Sequence, residues 1–205
     1  MPSRPLADQN QMPTIAPAAT ADSVETGGYL FRTCFKDSYQ GEIAAKYAAE
    51  TLKVKKVAVL YGTGDPYSSG VGKAFVAAAK KNGLDVVAEE NSSSADDTEY
   101  SSQLQKIEAS GAEFLYAPYY YSTVGPYIVP QTRAVGYEGY IMGPDGYDGL
   151  KTTGNKANYN KVLYTTHYSP DDKSNTKVQQ FITSYKKANN GESPNTFTAL
   201  GYDSV

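Results

Sequence analysis

The stretch KVAVLYGTGDPYSSGVGKAFVAAAKKNGLDVVAEE (residues 56–90) reads as a strand, a helix and a second strand. The apolar run at 56–61 is typical of a buried strand, and 84–90 has the composition of another. Between them, residues 70–82 carry small and apolar side chains at the spacing of one helix face: Val71, Ala74, Phe75, Ala78 and Ala79. Gly83 follows at the position where a left-handed residue commonly ends a helix. A strand–helix–strand unit of this length predicts an α/β fold.

The rest of the chain continues the alternation, which extends the α/β prediction to a mainly parallel sheet. Further strands are predicted at 13–16, 113–117, 139–143 and 161–166. Further helices are predicted at 43–52, through Tyr100, Leu104 and Ile107 to a stop at Gly111, at 123–135 and at 174–189, with another beginning in 195–205. Pro130 conflicts with the helix at 123–135, because proline removes a backbone hydrogen bond and clashes with the preceding turn. That helix is expected to kink at Pro130 or to start late.

Composition excludes several classes of function. The chain has 19 basic and 22 acidic residues, a net charge of −3, and no basic cluster, which disfavours nucleic acid as a partner. No apolar run approaches the roughly 20 residues of a membrane span. Cys34 is the only cysteine, which leaves no internal disulfide, and it is interpreted as a small apolar filler. The N-terminal residues MPSRPLADQNQ lack the features of a signal peptide and are interpreted as the end of a surface helix, as though the chain began within a domain.

Motifs for enzymatic chemistry do not fit. In GTGDPYSSGVGK (62–73), Tyr67 stands where a dinucleotide-binding motif needs glycine, and Ala74 follows Gly72-Lys73 where a Walker motif needs Ser or Thr. His167 is the only histidine, and no G-x-S-x-G elbow accompanies it. Asp96 and Asp97 are interpreted as helix-capping residues. The sequence therefore predicts no catalytic residues, no metal site and no cofactor.

Polar and aromatic residues instead follow the predicted strands, at the edge where open α/β sheets bind ligands. These residues are Ala18, Ala19 and Thr20 after 13–16, Asp65, Tyr67, Ser68 and Ser69 after 56–61, Tyr119, Tyr120 and Tyr121 after 113–117, and Asp145 and Tyr147 after 139–143. A carboxylate with aromatic faces suits a ligand that carries an ammonium group, and a loop of small residues lets backbone N–H groups approach a ligand carboxylate. This pattern points to a free amino acid or a close analogue. The alternative is that these are ordinary turn residues and partly buried core.

Six ordered segments resemble the branched-chain amino-acid (leucine/isoleucine/valine) class of solute-binding proteins of ABC transporters. They are MPTIAPAATADS, FRTCFKDSYQGEIAAKYAAETL, KVAVLYGTGDPYSSGVGKAF, FLYAPYYYSTVG, AVGYEGYIMGPDGYDG and KVLYTTHYSPDD. The resemblance covers essentially the whole chain. It implies a type I periplasmic-binding-protein fold, in which two Rossmann-like lobes joined by a hinge close on a ligand.

The resemblance also implies roles for individual residues. Ala18, Ala19 and Thr20 match the loop that holds the ligand carboxylate. Tyr67 and Tyr120 match aromatic residues that line the pocket, with Tyr119 as the alternative to Tyr120. Asp145 matches the acidic residue that binds the α-ammonium.

The implied domain organisation is that of a fragment. Residues 28–167 resemble a nearly complete second lobe, and residues 1–27 and 168–205 resemble remnants of the first. The chain is therefore expected to hold about half the site and to bind ligand weakly or undetectably. Exposed apolar faces make self-association plausible.

The implied partners are an amino acid and a membrane permease, and the implied location is extracytoplasmic, in the periplasm or lipid-anchored on the outer face of a Gram-positive membrane. The alternative function is a ligand-sensing domain of a receptor or regulator with the same fold. The sequence does not identify the ligand.

Overall fold

The computed structural model describes residues 3–24, 27–152 and 154–205. These residues divide into two units, one of which combines the chain up to Phe35 with Thr166–Val205, while the other is Lys36–Thr165. The unit Lys36–Thr165 starts eight residues after the predicted start of the lobe at 28 and ends two residues before its predicted end at 167. The assignment of the units to lobes of a longer protein stays a prediction.

The predicted helices and strands occur in the predicted order, but the helix predicted from residue 43 begins at Asp37, and a strand at Leu30–Arg32 was not predicted. The helices are α1 (Ser3–Gln9), α2 (Asp37–Lys46), α3 (Pro66–Lys81), α4 (Ser101–Ala109), α5 (Tyr121–Thr123), α6 (Val129–Ala134), α7 (Thr176–Ala188) and α8 (Thr196–Tyr202). The strands are β1 (Thr14–Ala16), β2 (Leu30–Arg32), β3 (Lys56–Gly62), β4 (Asp85–Ser92), β5 (Phe114–Tyr116), β6 (Tyr140–Gly143) and β7 (Val162–Tyr164). A π-helical turn extends α2 to Thr51, and 3-10 turns cover Asp145–Tyr147 and Lys156–Tyr159. No helix among the described residues has both the length and the apolar composition needed to cross a membrane.

The unit Lys36–Thr165 is built on a five-stranded sheet in the order β4-β3-β5-β6-β7, and all its strand pairs are parallel. Strand β3 is buried from its second residue to its end, as expected for a parallel strand covered on both faces. The order reverses between β3 and β5, which makes their carboxyl ends the topological switch point where ligands bind in open α/β sheets. The predicted α/β fold with a parallel sheet is confirmed.

Alternate side chains of β3 enter two different cores. Val57 and Val59 pack with α2 and α3 on one face of the sheet. Ala58 and Leu60 pack with α4 and the α5–α6 segment on the other face. The sheet is therefore the middle layer of three, which leaves its carboxyl edge as the place where loops from several strands meet.

The segment around Pro130 shows how the chain accommodates a proline that the helix prediction placed in a helix interior. A π-helical turn at Val124–Ile128 joins α5 to α6, and the Val129 N–H bonds back to the Val124 carbonyl. Helix α6 begins at Val129, so Pro130 lies in its first turn, where no backbone N–H is needed. The helical run as a whole begins at Tyr121, so the segment does not start late; the α-helical pattern is instead interrupted by the π-helical turn and begins again at Val129.

The other unit contains a two-stranded parallel sheet, β1 with β2. Helix α1 precedes β1, as the sequence predicted, although Met1 and Pro2 lie outside the described residues. Strand β2 was not predicted. Ile15 and Phe31 are paired in register and are 43% and 51% exposed, so this small sheet presents apolar side chains to solvent.

Candidate functional site

Asp145 lies at the carboxyl edge of the five-stranded sheet, two residues after β6 ends at Gly143. Its side chain is only 3% exposed. The Oδ1 atom accepts hydrogen bonds from the Tyr67 hydroxyl at 2.6 Å and from the Gln40 side-chain amide at 2.9 Å. Burying a carboxylate is costly unless hydrogen bonds or an opposite charge compensate it, so a buried acid at a switch point is a candidate ligand contact.

Tyr67 reaches Asp145 from the first turn of α3, directly after β3. Asp65 caps this helix by accepting a hydrogen bond from the Ser68 N–H at 2.6 Å, and Pro66 occupies its first position. The Tyr67 hydroxyl donates to Asp145 and accepts from the Gly146 N–H at 2.9 Å. Burial, followed by the charge of Asp145, raises the pKa of the Tyr67 phenol well above its usual value. Tyr67 therefore acts as a neutral donor that orients the carboxylate.

Tyr120 adds an aromatic face to this cluster from the loop after β5. Its ring stacks on that of Tyr67 with centroids 5.0 Å apart and planes inclined by 21°. Burial raises the pKa of Tyr120 to about 12, with further contributions from the charges of Asp65 and Asp145. Three predicted site residues, Tyr67, Tyr120 and Asp145, thus converge from three strand ends.

Gly146 is required for this convergence. A Cβ atom at Gly146 would lie 2.8 Å from the Tyr119 carbonyl oxygen and 2.9 Å from the Tyr67 hydroxyl oxygen. Both distances are too short for a carbon contact. Only glycine lets the turn after β6 approach the loop after β5 this closely.

The Tyr119 side chain packs near the end of β4 and not in the cluster of Tyr67, Tyr120 and Asp145. Its side chain is fully buried, its hydroxyl lies 2.8 Å from Ser92 Oγ, and its ring meets that of Tyr100 edge-on at 5.6 Å. Tyr119 contributes only its carbonyl oxygen to the contact with Gly146. The geometry favours Tyr120 over Tyr119 as the aromatic residue of the site, although ligand contact by either stays a prediction.

Ala18, Ala19 and Thr20 belong to the other unit, in the loop after β1. The Arg32 guanidinium organises this loop, because it donates to the carbonyl oxygens of Ala19 and Thr20 at 3.1 and 3.3 Å and also to that of Val24. Ala18 is exposed, whereas Thr20 is buried. The role of this loop in holding a ligand carboxylate stays a prediction.

Gln40 is a site residue that the sequence reasoning missed. It is 1% exposed, and its side-chain oxygen accepts from the Asp145 N–H at 2.8 Å and from the Thr165 hydroxyl at 2.9 Å. The helix was predicted to begin at residue 43, which placed Gln40 in a loop. A helix start six residues earlier would have placed its amide on the buried face beside Ala44 and Ala45.

Two buried tyrosines under the site differ in the hydrogen bonding of their hydroxyl groups. Tyr116 and Tyr147 are both fully buried, and the Tyr147 hydroxyl donates to the Ala117 carbonyl oxygen at 2.8 Å. The Tyr116 hydroxyl makes no hydrogen bond with any residue that the structure describes. Burial raises the pKa of both phenols well above the usual value, so neither ionises at neutral pH.

Replacing these tyrosines with phenylalanine should therefore have different effects on stability. Tyr147→Phe loses a hydrogen bond and should lower the free energy of unfolding by about 1 kcal/mol. Tyr116→Phe removes a buried hydroxyl without a partner and should leave it unchanged or raise it by up to about 1 kcal/mol. Urea denaturation of the two variants beside the unmodified chain measures the difference. A larger loss for Tyr116→Phe than for Tyr147→Phe would contradict the assignment.

A parallel sheet with a switch point, and a buried acid beside stacked tyrosines at its carboxyl edge, is typical of α/β proteins that bind small ligands. The chain belongs to the periplasmic binding protein family, whose family model matches residues 1–205. The predicted family resemblance is confirmed, and this family is one of substrate-binding proteins.

Relatives of known name support the same assignment. The chain is 26% identical over 196 residues to the leucine-, isoleucine-, valine-, threonine-, and alanine-binding protein of Pseudomonas aeruginosa, a match that covers 93% of the chain and 50% of the relative. It is 33% identical over 134 residues to the Leu/Ile/Val/Thr-binding protein of Salmonella typhimurium, covering 64% of the chain and 36% of the relative.

A solved structure shows the fold match. The branched-chain amino acid transporter substrate binding protein LivJ from Streptococcus pneumoniae, in complex with isoleucine, is 30% identical with a TM-score of 0.82, and the match covers 97% of this chain and 56% of LivJ. The leucine binding protein LivK from Thermotoga maritima is also 30% identical, with a TM-score of 0.81 and coverage of 98% and 57%. The chain thus spans about half the length of the relatives it matches.

Proposed function

We propose that these residues belong to the substrate-binding component of an ABC transporter, which captures an amino acid or a close analogue outside the cytoplasm and presents it to a membrane permease. Because the chain spans about half the length of its relatives, the proposal concerns a longer protein of which these 205 residues are part. The observation that carries it is the buried Asp145 carboxylate, held by Tyr67 at the switch point of the sheet.

The chemistry of this cluster suits the amino end of an amino acid. Asp145 supplies a negative charge to the α-ammonium group, and a charge-assisted hydrogen bond is stronger than a neutral one. The stacked rings of Tyr67 and Tyr120 offer faces that attract cations and pack against aliphatic carbon. The carboxylate end is assigned to Ala18, Ala19 and Thr20, whose backbone N–H groups and hydroxyl suit an anion.

The remaining parts of the proposal follow from the family. Capture is non-enzymatic and uses hinged closure of two lobes on the ligand. A lipid anchor would keep such a protein on the outer face of a Gram-positive membrane, and a periplasmic protein would need none. The relatives named above are amino-acid-binding and transporter proteins, which favours transport over the sensing alternative.

The 205-residue chain by itself should bind amino acids only weakly. Isothermal titration with a panel that includes L-leucine and L-isoleucine should give no saturable heat at micromolar concentrations, because the chain holds about half of the site. The longer protein should bind at least one member of the panel at micromolar or lower concentrations. Micromolar binding by the chain alone would contradict the half-site interpretation, and no binding by the longer protein would overturn the proposed function.

A further inference from the structure

We infer that Gln40 is a positioning residue, which holds the Asp145 carboxylate so that the site prefers ligands with an amino group over the same ligands without one. This inference rests on the proposed function. It assigns Gln40, on α2, an indirect role in which it acts on the ligand by orienting Asp145.

The Gln40 side-chain amide makes two hydrogen bonds with Asp145. Its nitrogen donates to Oδ1 of the carboxylate at 2.9 Å, and its oxygen accepts from the backbone N–H of the same residue at 2.8 Å. Bridging the backbone and the side chain of one residue fixes the side-chain rotamer of Asp145. The Tyr67 hydroxyl donates to the same Oδ1 from α3 at 2.6 Å, so residues of two helices hold one oxygen of the carboxylate.

The orientation of the Gln40 amide is itself determined. Its oxygen must face the Asp145 N–H, which only donates, and its nitrogen must face the carboxylate, which only accepts when ionised. The Thr165 hydroxyl donates to the same oxygen at 2.9 Å. A flipped amide would oppose donor to donor and acceptor to acceptor, so a single arrangement satisfies all three partners.

A neutral amide suits this role better than a charged side chain. A lysine at this position would neutralise Asp145 and remove the attraction for a ligand ammonium. A glutamate would place a second anion against the carboxylate in a buried site. Glutamine orients the carboxylate without adding a charge of its own.

Gln131 provides a matched control in the same unit. Its side-chain oxygen accepts from the Tyr100 N–H at 2.7 Å, and its nitrogen donates to the Thr98 carbonyl oxygen at 2.8 Å. Like Gln40, it accepts from a backbone N–H and donates to an oxygen, but it contacts none of Tyr67, Tyr120 and Asp145 through these bonds. Replacing either glutamine with methionine keeps the length of the side chain and removes every hydrogen bond of its amide group.

The first experiment needs no ligand. Hydrogen exchange of side-chain amide protons, followed by NMR on the 205-residue chain, should show strong protection of the Gln40 NH2 group relative to that of the exposed Gln105. If the Gln40 NH2 protons exchanged as fast as those of Gln105, the inference would be overturned, whichever ligand the protein binds.

The second experiment measures the preference for the amino group. In the longer protein, Gln40→Met should weaken binding of L-leucine by about tenfold or more, as expected for the coupling of directly bonded residues. Binding of 4-methylpentanoate, which is leucine without its amino group, should not change. Gln131→Met should leave the affinity ratio of the two ligands unaltered.

A purely structural role for Gln40 predicts a different result, in which both ligands weaken equally. That outcome, or an unchanged affinity for L-leucine, would overturn the inference while amino-acid binding by the unmodified protein upheld the proposed function. Absence of amino-acid binding by the unmodified protein would overturn the proposed function, and the exchange experiment would still test whether the Gln40 amide is held in a hydrogen bond.

Discussion

Replacing Asp145 with asparagine should weaken amino-acid binding by the longer protein at least about 30-fold, because removing one partner of a buried, hydrogen-bonded charge pair costs about 2–5 kcal/mol. Asparagine keeps the shape of the side chain and an oxygen that can accept from Tyr67 and Gln40. The change therefore removes the charge while it preserves the packing of a side chain that is only 3% exposed. Isothermal titration with L-isoleucine measures the loss.

Asp85→Asn is the control for net charge. Asp85 is the exposed first residue of β4, so its replacement changes the charge of the protein equally without touching the cluster. It should leave the affinity within about twofold, since exposed charges are screened by salt. Equal affinities of the Asp145 variant and the unmodified protein would remove Asp145 from the site and with it the main support for an ammonium ligand.

The convergence of Tyr67, Tyr120 and Asp145 could be predicted because each residue follows a strand within a few positions. A short loop leaves little freedom, and the carboxyl ends of parallel strands meet at one edge of the sheet. Locating three strand ends was therefore enough to bring the side chains together. The same reasoning found the strand–helix–strand unit of β3, α3 and β4.

Other features depended on details that local patterns do not carry. Tyr119 and Tyr120 are adjacent, and a shift of one residue turns the side chain from Ser92 to Tyr67. Gln40 contacts Asp145 across 105 positions of sequence, a pairing that no spacing rule predicts. Arg32 lies in a strand of only three residues, and its guanidinium donates to carbonyl oxygens of a loop. Any cation in the segment could have made such bonds, so the sequence did not single out Arg32.

Gly41→Ala should lower the free energy of unfolding by about 2–3 kcal/mol and the melting temperature by roughly 10 °C. Helix α2 crosses α3 at Gly41, where an added Cβ would lie 2.6 Å from the Phe75 nitrogen and 2.9 Å from the Ala74 carbonyl carbon. Both atoms belong to the backbone of α3, so no side chain can rotate out of the way. The helices would have to separate, which opens the core that Ala44 and Ala45 share with Phe75. Thermal denaturation followed by circular dichroism measures the change.

Gly70→Ala, in the facing helix α3, should change stability in the opposite direction. A Cβ at Gly70 would meet only Asp37 Oδ2 at an ordinary 3.9 Å, so alanine should raise stability by up to about 1 kcal/mol through its higher helix propensity. Two glycine-to-alanine changes in adjacent helices should thus differ in sign. Because Gly41 directly follows Gln40, the separation that Gly41→Ala imposes should also displace the amide from Asp145. An unchanged melting temperature in the Gly41 variant would mean that α2 and α3 are not in backbone contact. The close packing of these helices would then no longer explain how Gln40 is held against Asp145.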